Sequence, residues 1–111
     1  MSSEYKDFEN IEDLWFWFCR SIIAREEGFR NRVDDYIGYV RRCEISDIER
    51  ILKRLKAAGY ITNRHLRVMA RWGKALVSPY YHPRAKNSEI RLWEEGLNAL
   101  AKVLKAKGIL P

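Results

Sequence analysis

Cysteine and histidine are scarce in this sequence, and their spacing does not suit a metal site. Neither cysteine, Cys19 or Cys43, has a second cysteine or a histidine at a chelating spacing, and His65 and His82 lie 17 positions apart. A small secreted domain normally relies on more than one disulfide bond. We therefore expect both cysteines to be reduced thiols within the core, and we expect no metal and no cofactor.

The chain also lacks the glycine and carboxylate arrangements that many enzymes use. Its six glycines occur singly, without the clustering of a phosphate-binding loop or a nucleophile elbow. Carboxylates are paired at 26–27, 34–35 and 94–95, but adjacent residues on a helix diverge by about 100° and cannot converge on one substrate atom. We therefore expect no catalytic residues, no small-molecule substrate and no enzyme activity.

No apolar run is long enough to cross a membrane, and the first residues, MSSEYKDFENIED, are acidic where a signal peptide is basic. These absences predict a cytoplasmic protein without a membrane partner. The 111 residues suffice for a single modest core. With 47% apolar and 32% charged residues, the composition is that of an ordinary globular domain.

Apolar residues recur at spacings of three and four along most of the chain, which is typical of amphipathic helices. The pattern predicts an all-α, single-domain bundle of about five helices. No alternating stretch is long enough to predict a sheet. The predicted helices cover residues 11–24, 31–43, 46–58, 63–77 and 89–108.

Several predicted helix ends rest on recognisable capping residues. Ser46 followed by Glu49 has the sequence of a capping box, and Gly59 can adopt the left-handed conformation that ends a helix. The last two helices are expected to begin at Thr62 or Asn63 and at Asn87 or Ser88.

Residues 14–19, LWFWFC, place four aromatic rings in succession. On a helical wheel, Leu14, Trp15 and Phe18 share one face, Phe16 widens it, and Trp17 points the other way. The apolar arc spans about 200°, so this helix is either central to the bundle or shared with a second subunit. A core role is favoured. In the alternative, Trp17 and Phe16 are oligomer contacts, and exposure of Trp17 would report a partner.

The net charge of +6 is distributed unevenly. Residues 1–49 have seven basic and twelve acidic side chains, a charge of −5, and residues 89–111 have four basic and three acidic ones. Residues 50–88 have ten cations and no carboxylate, a charge of +10. The domain is thus predicted to consist of acidic, aromatic-rich helices (1–45), a basic helix pair (46–77), a basic loop (78–88) and a C-terminal helix (89–108).

The predicted fourth helix has one purely cationic face. Like charges at i,i+4 repel, and soluble helices normally intersperse glutamates among them, so this face indicates an external anion. In the following loop, Tyr80 and Tyr81 precede two cations and could stack on bases, although packing of the tyrosine pair on the core is favoured. The cationic residues are Arg64, Arg67, Arg71 and Lys74; the opposite, packing face has Leu66, Met69, Ala70, Gly73, Leu76 and Val77.

Arrays of cations bind phosphate backbones, so the basic segment predicts a nucleic-acid partner. The residues expected to bind it are Arg50, Lys53, Arg54, Asn63, Arg64, Arg67, Arg71, Lys74, Arg84 and Lys86.

Residues 46–77, a helix, a short turn containing Gly59 and a second helix with outer cations, resemble bacterial helix-turn-helix DNA-binding proteins. The resemblance implies that the second helix lies in the major groove. It implies DNA contacts for Asn63, Arg64, Arg67 and Arg71, with Lys74 on phosphate.

The same region can also be aligned with a second kind of DNA-binding protein. The stretch ISDIERILKRLKAAGYI resembles the recognition helix of winged-helix regulators. That resemblance implies that the preceding helix faces DNA, through Ser46, Asp47, Arg50, Lys53 and Arg54.

Together these features predict a small cytoplasmic DNA-binding protein, a transcriptional regulator or nucleoid-type factor, with duplex DNA favoured over RNA. A homodimer would suit this function, because a two-fold protein can engage two half-sites. Two alternatives remain: an interaction module or adaptor that docks on an acidic protein, and a protein that binds structured RNA.

Overall fold

The computed structural model describes residues 8–28 and 43–111, and all regular structure in these ranges is helical. This confirms the all-α prediction. The helix predicted over 31–43 lies, apart from Cys43, outside the described residues, so the count of about five helices stays a prediction. Within the described ranges, no helix is long and apolar enough to cross a membrane. The helices are α1 (Ile11–Glu26), α2 (Ile45–Ala57), α3 (Asn63–Ala75) and α4 (Asn87–Ala106), with a 3₁₀ turn (Pro79–Tyr81) before α4.

The start of α2 differs from the predicted capping box. The backbone N–H of Glu44 donates to Asp47 Oδ2 at 2.8 Å, so the helix begins at Ile45 and Ser46 lies within its first turn. The carboxylate of Glu49 is engaged elsewhere, because Arg25 at the end of α1 forms an ion pair with it at 3.1 Å. The prediction that Ser46 and Glu49 form the box is therefore wrong.

The starts of α3 and α4 are set by backbone groups that donate to side chains three residues later. Thr62 is the N-cap of α3, as expected, and its N–H donates to His65 Nδ1 at 3.0 Å. At α4 the N–H of Lys86 donates to Glu89 Oε1 at 3.2 Å. Helix α4 thus begins at Asn87, and the caps expected at Asn87 or Ser88 are wrong by one or two positions.

Two residues with positive φ end α2 and α3. Gly59 adopts φ 83°, as predicted, and the N–H of Tyr60 donates back to the carbonyl of Leu55 at 3.0 Å. Helix α3 ends at Ala75 because Leu76 adopts the left-handed conformation, with φ 57°. The helix therefore stops two residues before its predicted end. Leu76 and Val77, which were expected to pack, are exposed as a result.

Helix α1 is central, because it packs against α2, α3 and α4. Its buried Trp15 donates from Nε1 to the carbonyl of Met69 in α3 at 2.9 Å. Trp93 of α4 donates from Nε1 to Glu12 Oε2 at 2.8 Å. At Gly73 the helices approach so closely that a Cβ atom would lie 2.6 Å from Trp15 Nε1, so only glycine permits this crossing without a shift.

The outward position expected for Trp17 is wrong. Its side chain is 3% exposed and its ring lies 5.2 Å from that of Phe8, which is itself buried. Phe8 precedes α1 by three residues and covers the face that the helical wheel leaves open. Phe16 is half-buried against Trp93, at 5.9 Å between ring centroids. Trp17 therefore belongs to the core, and dimerisation stays a prediction.

Cys19 and Cys43 are buried and unbonded to each other, as predicted for reduced core thiols. Burial raises the pKa of the Cys19 thiol to about 12. At neutral pH this thiol is therefore protonated and behaves as a small apolar side chain.

Helices α2 and α3 each pack on α1 and α4 more than on each other. The Gly59 turn joins them, and Ile61 in that turn is buried. The orientation of α3 is consequently set by its contacts with α1 and α4.

Candidate nucleic-acid interface

Helix α3 has a packed face and an exposed cationic face. Met69, Trp72 and Gly73 are buried against α1 and α4. The residues predicted to bind nucleic acid all lie on the exposed side of the helix: Asn63, Arg64, Arg67, Arg71 and Lys74.

The cations of α3 do not all have the same electrostatic surroundings. Arg71 donates from Nη1 to Glu89 Oε2 of α4 at 2.9 Å, and its guanidinium lies 5.3 Å from the centre of the Trp72 ring. Arg64, Arg67 and Lys74 form no ion pair with any carboxylate of residues 8–28 and 43–111. The sequence indicated an external anion for the whole cationic face. This is wrong for Arg71, because Glu89 of α4 is its anionic partner.

Glu89 is a shared acceptor in this arrangement. Its Oε2 also accepts a hydrogen bond from Trp72 Nε1 at 3.3 Å, and its side chain is largely buried. The Trp72 side chain is buried and the Arg71 side chain is exposed. Because Glu89 binds both, it links the core of the bundle to the cationic face.

His65 has both ring nitrogens engaged. Nδ1 accepts the N–H of Thr62, so in the neutral ring Nε2 bears the proton and donates to Glu95 Oε1 at 2.9 Å. The Thr62 hydroxyl also lies 2.9 Å from Nδ1. This chain of contacts caps α3 and ties it to α4, which accounts for His65 as a structural residue.

The cations of α2 are exposed as well. Arg50 lies 3.9 Å from Asp47, a long contact, and Lys53 and Arg54 form no ion pair with a described carboxylate. Arg50 and Arg54 border a surface cavity of about 450 Å³ together with Lys107 at the end of α4. The structure thus adds a third cation to this part of the surface.

A second cavity, of about 610 Å³, lies where α3 begins. Arg64 borders it together with Arg91 and Ser88 of α4. The cations of α2 therefore adjoin the C-terminal end of α4, and Arg64 adjoins its N-terminal half. The structure does not bring the two sets into one cavity; they occupy successive positions along α4.

The loop between α3 and α4 presents its tyrosines to solvent, which corrects the expectation that they pack on the core. Tyr80 is 52% exposed and Tyr81 85% exposed. The Tyr80 hydroxyl donates to Glu94 Oε1, and this bond raises the pKa of Tyr80 to about 12. Arg84 and Lys86 in the same loop are exposed.

Several residues that shape this surface were not identified from the sequence. Arg91 lies in a helix of mixed charge and Lys107 directly follows it, and only the packing of α4 against α2 and α3 places them beside the basic residues 50–88. Glu89 was missed for the same reason. The charge of each residue is visible in the sequence, but the pairing depends on contacts 18 or more positions apart.

Comparisons with protein-family models, with curated proteins and with solved structures find no match to this chain. Among the described residues, no group of three or more His, Cys, Asp or Glu side chains is placed to hold a metal ion.

Proposed function

We propose that this chain is a small cytoplasmic protein that binds nucleic acid without catalysing a reaction, with duplex DNA as the favoured ligand. The observation that supports this most is the set of exposed cations without a described carboxylate partner on α2 and α3. A transcriptional regulator or nucleoid-type factor is the role we infer. The set comprises Lys53, Arg54, Lys56, Arg64, Arg67 and Lys74.

The energetics of such a surface favour a polyanion. Each unpaired cation repels its neighbours along the helix, and a phosphate removes that repulsion while releasing counterions condensed on the nucleic acid. An acidic protein could neutralise the same charges, but it would gain no comparable counterion term. Steep salt dependence therefore separates the two classes of partner.

DNA is preferred over RNA because a short turn joins α2 to the cationic helix α3, the connection on which the helix-turn-helix resemblance rests, even though the two helices pack on α1 and α4 more than on each other. In helix-turn-helix proteins the residues at the start of the second helix contact base edges. Asn63, Arg64 and Arg67 are exposed at the start of α3, so we infer that this end enters the major groove. Arg71 is held by Glu89 and contributes less.

In the winged-helix alignment, α2 would be the inserted helix. Arg50 and Arg54, which border one cavity with Lys107, would then face the duplex. Variants of α3 and of α2 distinguish the two arrangements, because only those of the inserted helix should alter sequence preference.

The experiment that tests the proposal is a titration of fluorescent duplex DNA, duplex RNA and an acidic protein with wild type and with R64A/R67A. If each arginine contributes on the order of 1 kcal/mol or more, the double variant should bind duplex DNA roughly 30-fold more weakly. Its log-log salt slope should be shallower by about two.

A matched control is R25A/K105A, which removes the same net charge from α1 and from the end of α4. Arg25 forms only a surface ion pair with Glu49, so its loss should cost little stability. Equal losses of affinity in the two double variants would contradict a specific role for α3. Tighter binding of the acidic protein than of either duplex would contradict nucleic acid as the partner.

A further inference from the structure

We propose that Tyr81 stacks on an unpaired nucleobase, and that the preferred ligand therefore contains a single-stranded end or gap beside a duplex. This inference rests on the proposed function and specifies its ligand. It starts from the exposure of Tyr81, the most exposed of the large hydrophobic side chains in the described residues, at 85%.

The loop that bears Tyr81 is rigidly built. Pro79 is fully buried and anchors the 3₁₀ turn, whose closing bonds run from Tyr81 N–H to the Ser78 carbonyl at 3.2 Å and from His82 N–H to the Pro79 carbonyl at 3.2 Å. Beyond the turn, the His82 ring lies 5.1 Å from the buried Trp72 ring. The backbone of Tyr81 is thus fixed on both sides by contacts with the core.

The two tyrosines of this loop have different surroundings. The hydroxyl of Tyr80 is held by Glu94, whereas Tyr81 extends outward with its ring centroid 6.5 Å from that of Tyr80. An aromatic ring on a fixed backbone has only two side-chain torsions left to restrict on binding. Tyr81 is therefore preorganised to receive a flat ligand at low entropic cost.

Charge around the loop favours a nucleobase attached to phosphates. Lys74 precedes the loop, Arg84 follows Tyr81 by three residues and Lys86 by five, and residues 76–86 contain no carboxylate, so these cations outnumber the one carboxylate, Glu94 of α4, that binds the Tyr80 hydroxyl. Three residues of extended chain span at most about 11 Å, so Arg84 can reach the phosphates that flank a base on Tyr81. Base stacking on an aromatic residue with backbone cations alongside is the usual mode of single-strand binding.

A membrane surface also accepts exposed aromatic residues and cations, but this loop suits it less. Glu94, which holds Tyr80, is itself exposed, and its carboxylate would have to lie at the depth of the inserted rings. A nucleobase needs only the face of Tyr81. The observations therefore favour stacking.

The test compares three fluorescent ligands: a blunt duplex, the same duplex with a short single-stranded overhang, and the overhang strand alone. Wild type should prefer the overhang duplex. Tyr81→Ala should bind that ligand and the single strand about tenfold more weakly while binding blunt duplex as wild type does. Tyr81→Phe, which keeps the ring, should bind like wild type.

Tyr60→Ala is the control, because Tyr60 is also highly exposed but lies in the turn between α2 and α3. It should leave the preference of the protein for the overhang duplex over the blunt duplex unchanged. Circular dichroism spectra that match wild type establish that the variants are folded, as expected for substitutions at exposed positions.

Two results would overturn the inference alone. One is unchanged overhang binding in Tyr81→Ala while R64A/R67A still weakens duplex binding. The other is binding of wild type, abolished in Tyr81→Ala, to vesicles of phosphatidylcholine with phosphatidylserine, which would make the ring a membrane contact. Failure of wild type to bind any of the three nucleic acids would overturn the proposed function and this inference together.

Discussion

Helices α1 and α3 are both amphipathic in sequence, yet the face opposite the packed one is buried in α1 and exposed in α3. In α1 the residue opposite the packed face, Trp17, is covered by Phe8 and becomes part of the core. In α3 the opposite face, which includes Arg64 and Arg67, remains exposed. A helical wheel describes one helix alone, so it cannot distinguish a face that another part of the chain covers from one that stays open to a partner.

The two faces also differ in the free-energy change that accompanies their removal from water. Covering Trp17 removes apolar surface from water, which is favourable. Covering the guanidinium groups of α3 requires an anion, and within the described residues Glu89 provides one only for Arg71. The difference in chemistry of the two faces, rather than the periodicity they share, separates a face that joins the core from a face that stays exposed.

The largest effect is expected for Trp17. Trp17→Ala should lower the free energy of unfolding by about 3–5 kcal/mol, because a buried tryptophan leaves a large cavity. Tyr60→Ala, which truncates an exposed ring, should change it by less than about 0.5 kcal/mol. Urea unfolding followed by circular dichroism measures both.

If Trp17→Ala does not fold, Trp17→Phe should still show a smaller loss in the same direction. A midpoint of unfolding for either Trp17 variant that equals that of Tyr60→Ala would mean that the outer face of α1 is open, and the contrast between the two helices would disappear.

A smaller effect is expected for Glu89→Gln. The amide oxygen can still accept from Trp72, but the amide nitrogen cannot accept the Lys86 N–H, so the cap of α4 is lost together with the ion pair to Arg71, and the surface gains one positive charge. We expect duplex DNA to bind a few-fold more tightly, with a log-log salt slope steeper by about 0.9 if Arg71 takes up a phosphate. Fluorescence anisotropy at several salt concentrations measures both quantities.

The control for this change is Glu26→Gln, which alters the net charge equally at the exposed end of α1. It should leave the salt slope as it is in wild type. An equal gain of affinity in both variants would show that only overall charge matters, and that Glu89 has no particular relation to the cationic face.

The smallest effect concerns the titration of Tyr80. Its hydrogen bond to Glu94 raises its pKa from 10 to about 12. Because the folded-state pKa is the higher one, the stabilisation from this bond is fully present below pH 10 and is lost as the pH rises through about 12. Absorbance at alkaline pH should show a late titration that is missing in Tyr80→Phe and that shifts to lower pH in Glu94→Gln.

The helical fold and the cationic stripe of α3 could be predicted because both depend on local periodicity and on residue type. The Gly59 turn was predicted for the same reason, and the cap of α3 was narrowed to Thr62 or Asn63, of which Thr62 is the cap. The cap at Glu44 was missed because Ser46 with Glu49 fits a capping box equally well in sequence, and the contact of Glu49 with Arg25 of α1 is visible only in the folded chain.

Contacts between distant segments explain the other differences. Three contacts form only in the packed bundle: Phe8 covers Trp17, Glu89 pairs with Arg71, and Lys107 lies beside Arg50. Exposure of Tyr81 was not predicted either, since an aromatic residue normally favours burial and only the buried Pro79 and the His82–Trp72 contact fix the ring outward.

The most direct test of the account is the salt dependence of duplex DNA binding by wild type. If Arg64, Arg67 and Lys74 each neutralise a phosphate, the logarithm of the association constant should fall linearly with the logarithm of salt concentration, with a slope of about −3 or steeper. A slope near zero would contradict the claim that the open cationic face of α3 is a nucleic-acid-binding surface.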